Sequence, residues 1–163
     1  MTDVTITPLA DAPLHALEIW SNPAAVAARF QTATGFALPK MGRSGGTDSL
    51  RMIRYEPTVW LVEGDVSDLP AVLVEDGALT AIGGGIVRVR LTGTGWRTLL
   101  MECGVFDAEN PDFGPGCSAA TIIDHVGVRL HVVNNDICEA YVPRSFSVAL
   151  IKFWQEAAGD LVS

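Results

Sequence analysis

The chain has 163 residues, of which 48% are hydrophobic and 18% charged, with mean hydropathy +0.29, a net charge of −8 and a pI near 4.7. With no basic stripe and no Lys/Arg run, the phosphate neutralisation that drives nucleic-acid binding is missing, and an acidic surface instead suits solubility or the steering of a basic partner. The apolar balance is high for a soluble domain, so it predicts either a well-filled core or apolar surface covered by a partner.

Residues 1–13, with Pro8 and Pro13 as breakers, read as a loose lead-in without a basic n-region or an apolar signal core. His15 to Trp20 suits a first strand. Asn22 then offers a helix N-cap with Pro23 at the first helical position. Ala24 to Thr34 places Val26, Phe30 and Ala33 along one side, and Gly35 is set to close that helix in a left-handed conformation. Lys40 to Asp48, with Gly42, Gly45 and Gly46, reads as an exposed mobile loop. Ser49–Tyr55 and Thr58–Glu63 follow as strands joined at Glu56-Pro57. Ser67 or Asp68 can cap a short helix reaching Val74, and Asp76-Gly77 marks a turn.

Two strands, Ala78–Ile82 and Ile86–Leu91, flank Gly83-Gly84-Gly85; Val87, Val89 and Leu91 alternate with Arg88 and Arg90, the period of a half-buried strand. A helix is predicted from Trp96 to Cys103, ended by Gly104. Asp107–Gly116 is a Pro/Gly loop. Ser118–Asp124 and Gly127–Val133 read as strands joined near His125-Val126, and Asn134-Asn135-Asp136 turns the chain into a last strand, Ile137–Val142. In the closing helix, capped by Ser145, Phe146, Leu150, Phe153, Ala157 and Leu161 recur at helical spacing as a core stripe, which Ile151 and Trp154 widen. That extra width reads either as a broad buried face or as an edge continuing under a partner. The order implies an α+β fold, mostly antiparallel sheets with helices packed on one face, in two related halves at about 14–82 and 83–163 of one domain spanning 14–163.

No self-contained catalytic, cofactor-binding or metal site is legible. Cys103, Cys117, Cys138, His125 and His131 lack ligand spacing. The odd, scattered cysteines fit a reducing, cytoplasmic setting, and no stretch has transmembrane length. Cys117 follows Gly116 in a loop, but no base is placed beside it. Gly42–Gly46, Gly83–Gly85 and Gly93-x-Gly95 lack phosphate-loop patterns. Asp65 with Asp68, Glu75 with Asp76, and Asp107 with Glu109 fall in turns, where solvated carboxylates are the default. Arg144, between a strand end and a helix start, can brace a carboxylate within the domain or meet a partner or an anion at the helix terminus, the internal brace being favoured. Arg144, Ile151 and Trp154 are the candidate partner-interface residues.

Several strings in order carry a resemblance: Gly35-Phe36-Ala37-Leu38-Pro39, Pro57-Thr58-Val59-Trp60-Leu61-Val62, Gly83 to Leu91 with Thr92-Gly93, then FGPGCSAAT from Phe113 and VPRSF from Val142. Together, over roughly residues 17 to 158, they resemble the gamma subunit of heterotetrameric sarcosine oxidase. The resemblance implies the folate-binding fold of the aminomethyltransferase (T-protein) group and an accessory role. It places flavin, NAD and folate on partner subunits and makes the alpha, beta and delta chains the partners of an assembly that oxidatively demethylates sarcosine. The readings beside it are a gamma-like subunit of a related N-methyl amino-acid dehydrogenase, a stand-alone tetrahydrofolate-binding aminomethyltransferase-like protein, and a homodimer formed by the isolated chain through the same apolar surface.

Overall fold

The computed structural model describes residues 3–162, with the side chains of Cys103, Asp160, Leu161 and Val162 outside the described set. The chain forms two compact units, Ala12–Gly83 (the N-terminal unit) and Met1–Asp11 with Gly84–Ser163 (the C-terminal unit). Among the described residues no helix is long and apolar enough to cross a membrane.

In the C-terminal unit, β1 (Thr5–Pro8) leads and β7 (Ile86–Thr92), β8 (Ser118–Ile123), β9 (Val126–Asn134) and β10 (Ile137–Pro143) follow later in the chain, with α3 (Trp96–Cys103) and α4 (Arg144–Val162). The N-terminal unit contains β2 (Leu14–Ile19), α1 (Pro23–Thr34), β3 (Ser44–Gly46), β4 (Leu50–Arg54), β5 (Val59–Gly64), α2 (Leu69–Leu73) and β6 (Gly77–Ala81). Each unit has one five-stranded sheet, in the orders β3-β4-β5-β2-β6 and β1-β7-β10-β9-β8, and every paired neighbour is antiparallel. The fold is therefore α+β with antiparallel sheets.

The alternation of apolar side chains sets which face each sheet buries. In the N-terminal unit Leu17 pairs with Trp60 and Leu79, and Met52 with Val62. These side chains meet Val26 and Phe30 of α1 and Leu69, Val72 and Leu73 of α2 in one core. Phe30 and Phe36 close it edge-to-face at 5.1 Å. In the C-terminal unit the rows Leu91–Cys138–Val132 and Val89–Ala140–Leu130 lie against Trp96, Leu99 and Leu100 of α3 and Leu150, Trp154 and Ala158 of α4. Each fully buried side chain of this size contributes about 2 kcal/mol of transfer free energy.

Local expectations change at several points, and Ser145, expected as a cap, lies inside α4. Residues 1–13 are not all loose: Thr5-Ile6-Thr7 is a β-branched run that pairs with Arg90–Thr92, and Pro8 is tolerated because it ends an edge strand. Within Lys40–Asp48, Ser44–Gly46 is a short edge strand on β4. The buried stripe of α4 is Ser147, Leu150, Trp154 and Ala158, flanked by half-buried Ile151, Phe153 and Ala157. Phe146 is instead 53% exposed, and the Leu161 side chain lies outside the described residues. Two overlapping helical stripes exist in this segment, and the sheet selects the one carrying Trp154, whose burial area is larger. Finally, the turn expected at Asp76-Gly77 is centred two residues earlier, at Val74-Glu75, where the Asp76 N–H donates to the Leu73 carbonyl at 2.9 Å.

Candidate functional site

The end of α2 and the start of α1 meet at the carboxylate of Asp76. Asn22 begins α1 from a left-handed conformation (φ 46°), and its side chain does not cap the helix; the Nδ2 donates to Asp76 Oδ1 at 2.8 Å instead. Ser21 Oγ donates to the same oxygen at 2.7 Å, and Arg29 Nη2 reaches Oδ2 at 2.7 Å. These donors, Ser21 foremost, then Arg29 and Asn22, hold the Asp76 carboxyl down to about 2 from its ordinary 3.8. Arg29 also donates from Nε to the Val72 carbonyl at 2.8 Å, which ties α1 to α2.

Two large apolar side chains stand out from this polar hub. Trp20 is 60% exposed and Val74 is 65% exposed. Trp20 is held at both ends of the residue: its Nε1 donates to the Glu75 carbonyl at 3.1 Å, and its backbone N–H donates to the Asp76 carbonyl at 2.9 Å. Val74 has φ 54° and ψ −111°, close to the first central position of a type II′ turn, which is ordinarily glycine. Gly77, three residues on, has no such choice, because a Cβ there would lie 2.1 Å from the Glu18 carbonyl oxygen. Beside the hub, a shallow groove of about 530 Å³ runs between α1 and α2, lined by Ala28, Arg29, Thr32, Ala33, Ala71 and Val72 among others.

The sequence-predicted interface residues sit elsewhere, on α4. Trp154 is fully buried in the C-terminal core, so it presents nothing to a partner. Ile151 is half-buried against the same core. Arg144 braces its own unit: its guanidinium donates to Asp11 Oδ1 at 2.8 Å, the Gly84 carbonyl at 2.7 Å and the Ile86 carbonyl at 3.3 Å. Among the described residues, the large apolar side chains that α4 exposes are Phe146 and Val148, the latter 81% exposed.

The other candidates are scattered over both units. Cys138 is buried, and burial pushes its thiol up to about 12, so it stays protonated and is a poor nucleophile. Cys117 is buried with its Sγ 3.2 Å from the Asp112 carbonyl oxygen. His131 is buried at the register position between Glu139 and Ser118, whereas His125 lies exposed in the β8–β9 turn with Asp124, both at positive φ. The Cys103 side chain lies outside the described residues. Among the described residues no three His, Cys, Asp or Glu side chains converge on a common point. Asp65 and Asp107 accept backbone N–H groups two residues on, from Ser67 at 2.9 Å and Glu109 at 3.1 Å, and the first of these lowers the Asp65 pKa.

The hub was not foreseen. Its members lie 47 to 55 positions apart in sequence, and only the Trp20-Ser21-Asn22 run and the Val74 beside Glu75-Asp76-Gly77 hinted at it.

No family model and no curated protein matches this chain. Its fold is similar to a chain of the heterotetrameric sarcosine oxidase of Corynebacterium sp. U-96, solved in complex with pyrrole 2-carboxylate. The TM-score is 0.87 at 17% identity, covering 98% of this chain and 86% of that one. It is also similar to the glycine cleavage system aminomethyltransferase T of Bartonella henselae, with a TM-score of 0.65 at 16% identity, covering 94% of this chain and 45% of that one. At such identities the likeness speaks for the fold, and the fold is that of the aminomethyltransferase-like α+β proteins.

Proposed function

We propose that this chain is an accessory, gamma-type subunit of a sarcosine-oxidase-type complex that oxidatively demethylates sarcosine. The observation that carries this reading is one of extent. The chain matches nearly the whole of one subunit of a heterotetrameric oxidase but less than half of a complete aminomethyltransferase. In this reading flavin, NAD and folate are held by the partner alpha and beta chains, a small delta chain completes the assembly, and the present chain supplies docking surface. Substrate choice, sarcosine or another N-methyl amino acid, then rests with the partners.

The test is affinity purification of the tagged chain from its native cell, followed by mass spectrometry and a sarcosine-dependent oxidation assay of what is recovered. Larger flavin- and dinucleotide-binding chains and sarcosine turnover are expected with it, and no turnover from the chain alone. Turnover by the purified chain alone would refute the accessory role. Saturable tetrahydrofolate binding to the isolated chain would favour the stand-alone aminomethyltransferase-like reading.

A further inference from the structure

We propose that the knuckle formed by Trp20 and Val74 is the docking point for a partner chain presenting an apolar pocket rimmed by basic side chains. The proposal deepens the accessory-subunit reading and rests on it.

The first argument is preorganisation. An exposed tryptophan usually keeps rotamer freedom, which binding must then remove. Trp20 has already given it up, with its indole N–H on the Glu75 carbonyl and its backbone on Asp76. Tryptophan is also the side chain most enriched where truncation costs a complex most.

The second argument is strain. A β-branched residue at φ 54° is an outlier, and glycine would make the same turn without cost. Val74 is kept in place by the bonds around it: its own N–H to the Pro70 carbonyl, the Asp76 N–H to the Leu73 carbonyl, and the three side-chain donors on the Asp76 carboxylate. Its side chain gains nothing inside the unit, being 65% exposed. A strained backbone that presents an apolar side chain to solvent is a feature of recognition sites rather than of cores.

The third argument names the occupant. Arg29 is neutralised by Asp76, so the neighbouring exposed carboxylates, Glu18 and Glu75, set the sign of this corner. The whole chain adds a net −8. A second copy would bring acid to acid, whereas a basic rim complements it and speeds encounter. The knuckle alone is smaller than the roughly 800 Å² per partner of a stable interface. The groove that opens at Arg29 supplies adjoining surface.

The test compares Trp20→Ala, Val74→Gly and Glu75→Lys with wild type, using as probe the larger chains that co-purify with the wild-type protein, titrated back at two salt concentrations. Trp20→Ala is expected to weaken association at least about tenfold. Val74→Gly is expected to weaken it several-fold while raising the melting temperature of the isolated chain by about 2 °C, because it removes both the side chain and the strain. That opposite movement separates loss of docking from loss of folding. Glu75→Lys is expected to weaken binding and flatten its salt dependence. If all three variants bind like wild type, the knuckle is overturned while the accessory reading stands. If wild type recovers no larger chains, both fall. If Trp20→Ala instead dissolves a self-dimer seen by sedimentation, the occupant is a second copy and the proposal of a basic partner is overturned.

Discussion

In the C-terminal unit the carboxylate of Glu139 is buried and meets the half-exposed Arg90 at 2.6 Å, whereas in the N-terminal unit Asp76 meets Arg29 at 2.7 Å near the surface, with Ser21 and Asn22 beside it. The tryptophans divide in the same way. Trp96 and Trp154 are wholly inside the C-terminal unit; Trp60 is inside the N-terminal unit, and Trp20 stands out of it. The C-terminal unit thus turns this carboxylate and its two tryptophans to its own interior. The N-terminal unit uses one carboxylate to stiffen an outward-facing corner. That corner holds the apolar side chains of Trp20 and Val74 out in fixed positions, which is why it reads as a place for contact.

The largest expected effect lies in the C-terminal core. Trp154→Ala should destabilise the chain by about 4 kcal/mol, read from denaturant unfolding. The conservative pair is more discriminating. Trp96 donates from Nε1 to the Asn135 carbonyl at 2.9 Å, while Trp154 Nε1 is buried with no hydrogen-bond partner among the described residues. Replacing Trp96 with Phe leaves a carbonyl unmatched, whereas the same change at Trp154 removes an unmatched donor, so Trp154→Phe should be the milder by about 1 kcal/mol. An equal cost at the two sites would show that packing alone governs this core.

Next comes the buried carboxylate. Arg90→Ala should cost about 3 kcal/mol, since it strips the cation from a buried Glu139; Arg90→Ala with Glu139→Gln should recover part of that loss. A negligible effect of the single change would erase the contrast between the units. The smallest effect is the pH response of the surface hub. Asp76 is held near 2 in the folded chain against 3.8 ordinarily. A depressed carboxyl stabilises the fold fully above its unfolded value, so this contribution should fade as pH falls from about 4 through about 2. Asp76→Asn should flatten that part of the stability curve and raise the quenching of Trp20 fluorescence by acrylamide, because the corner that holds the indole loosens.

Much of the architecture was legible because it rests on local chemistry. Pro23 and Gly35 bracket α1, Gly104 ends α3, and the Val/Arg alternation of β7 announces a half-buried strand. What was hidden depends on distant partners. Thr5–Pro8 and Ser44–Gly46 are too short to register until β7 and β4 are beside them. The face of α4 was misread because Phe146-Leu150-Phe153 and Leu150-Trp154-Ala158 satisfy the same helical period, and only the sheet decides between them. Trp154, read as a widening of the stripe, is its buried centre, and Arg144 makes the internal brace that its place between strand and helix favoured. The hub escaped because hydrogen bonds between Trp20-Ser21-Asn22 and Glu75-Asp76 leave no periodic trace.

The β1–β7 pairing also sets an order of events in the cell. Thr5 is translated long before Thr92, the residue it must align with, and the entire N-terminal unit emerges from the ribosome in between. The nascent chain can therefore finish that unit while its own leading strand is still unpaired, a hydrogen-bonding edge waiting for a mate. A circular permutant opened between Asp11 and Ala12, with the old ends joined by a linker, would deliver β1 directly after α4. It should remove the interval in which β1 is made but unpaired, since β7 then precedes it, and leave the finished sheet order unchanged.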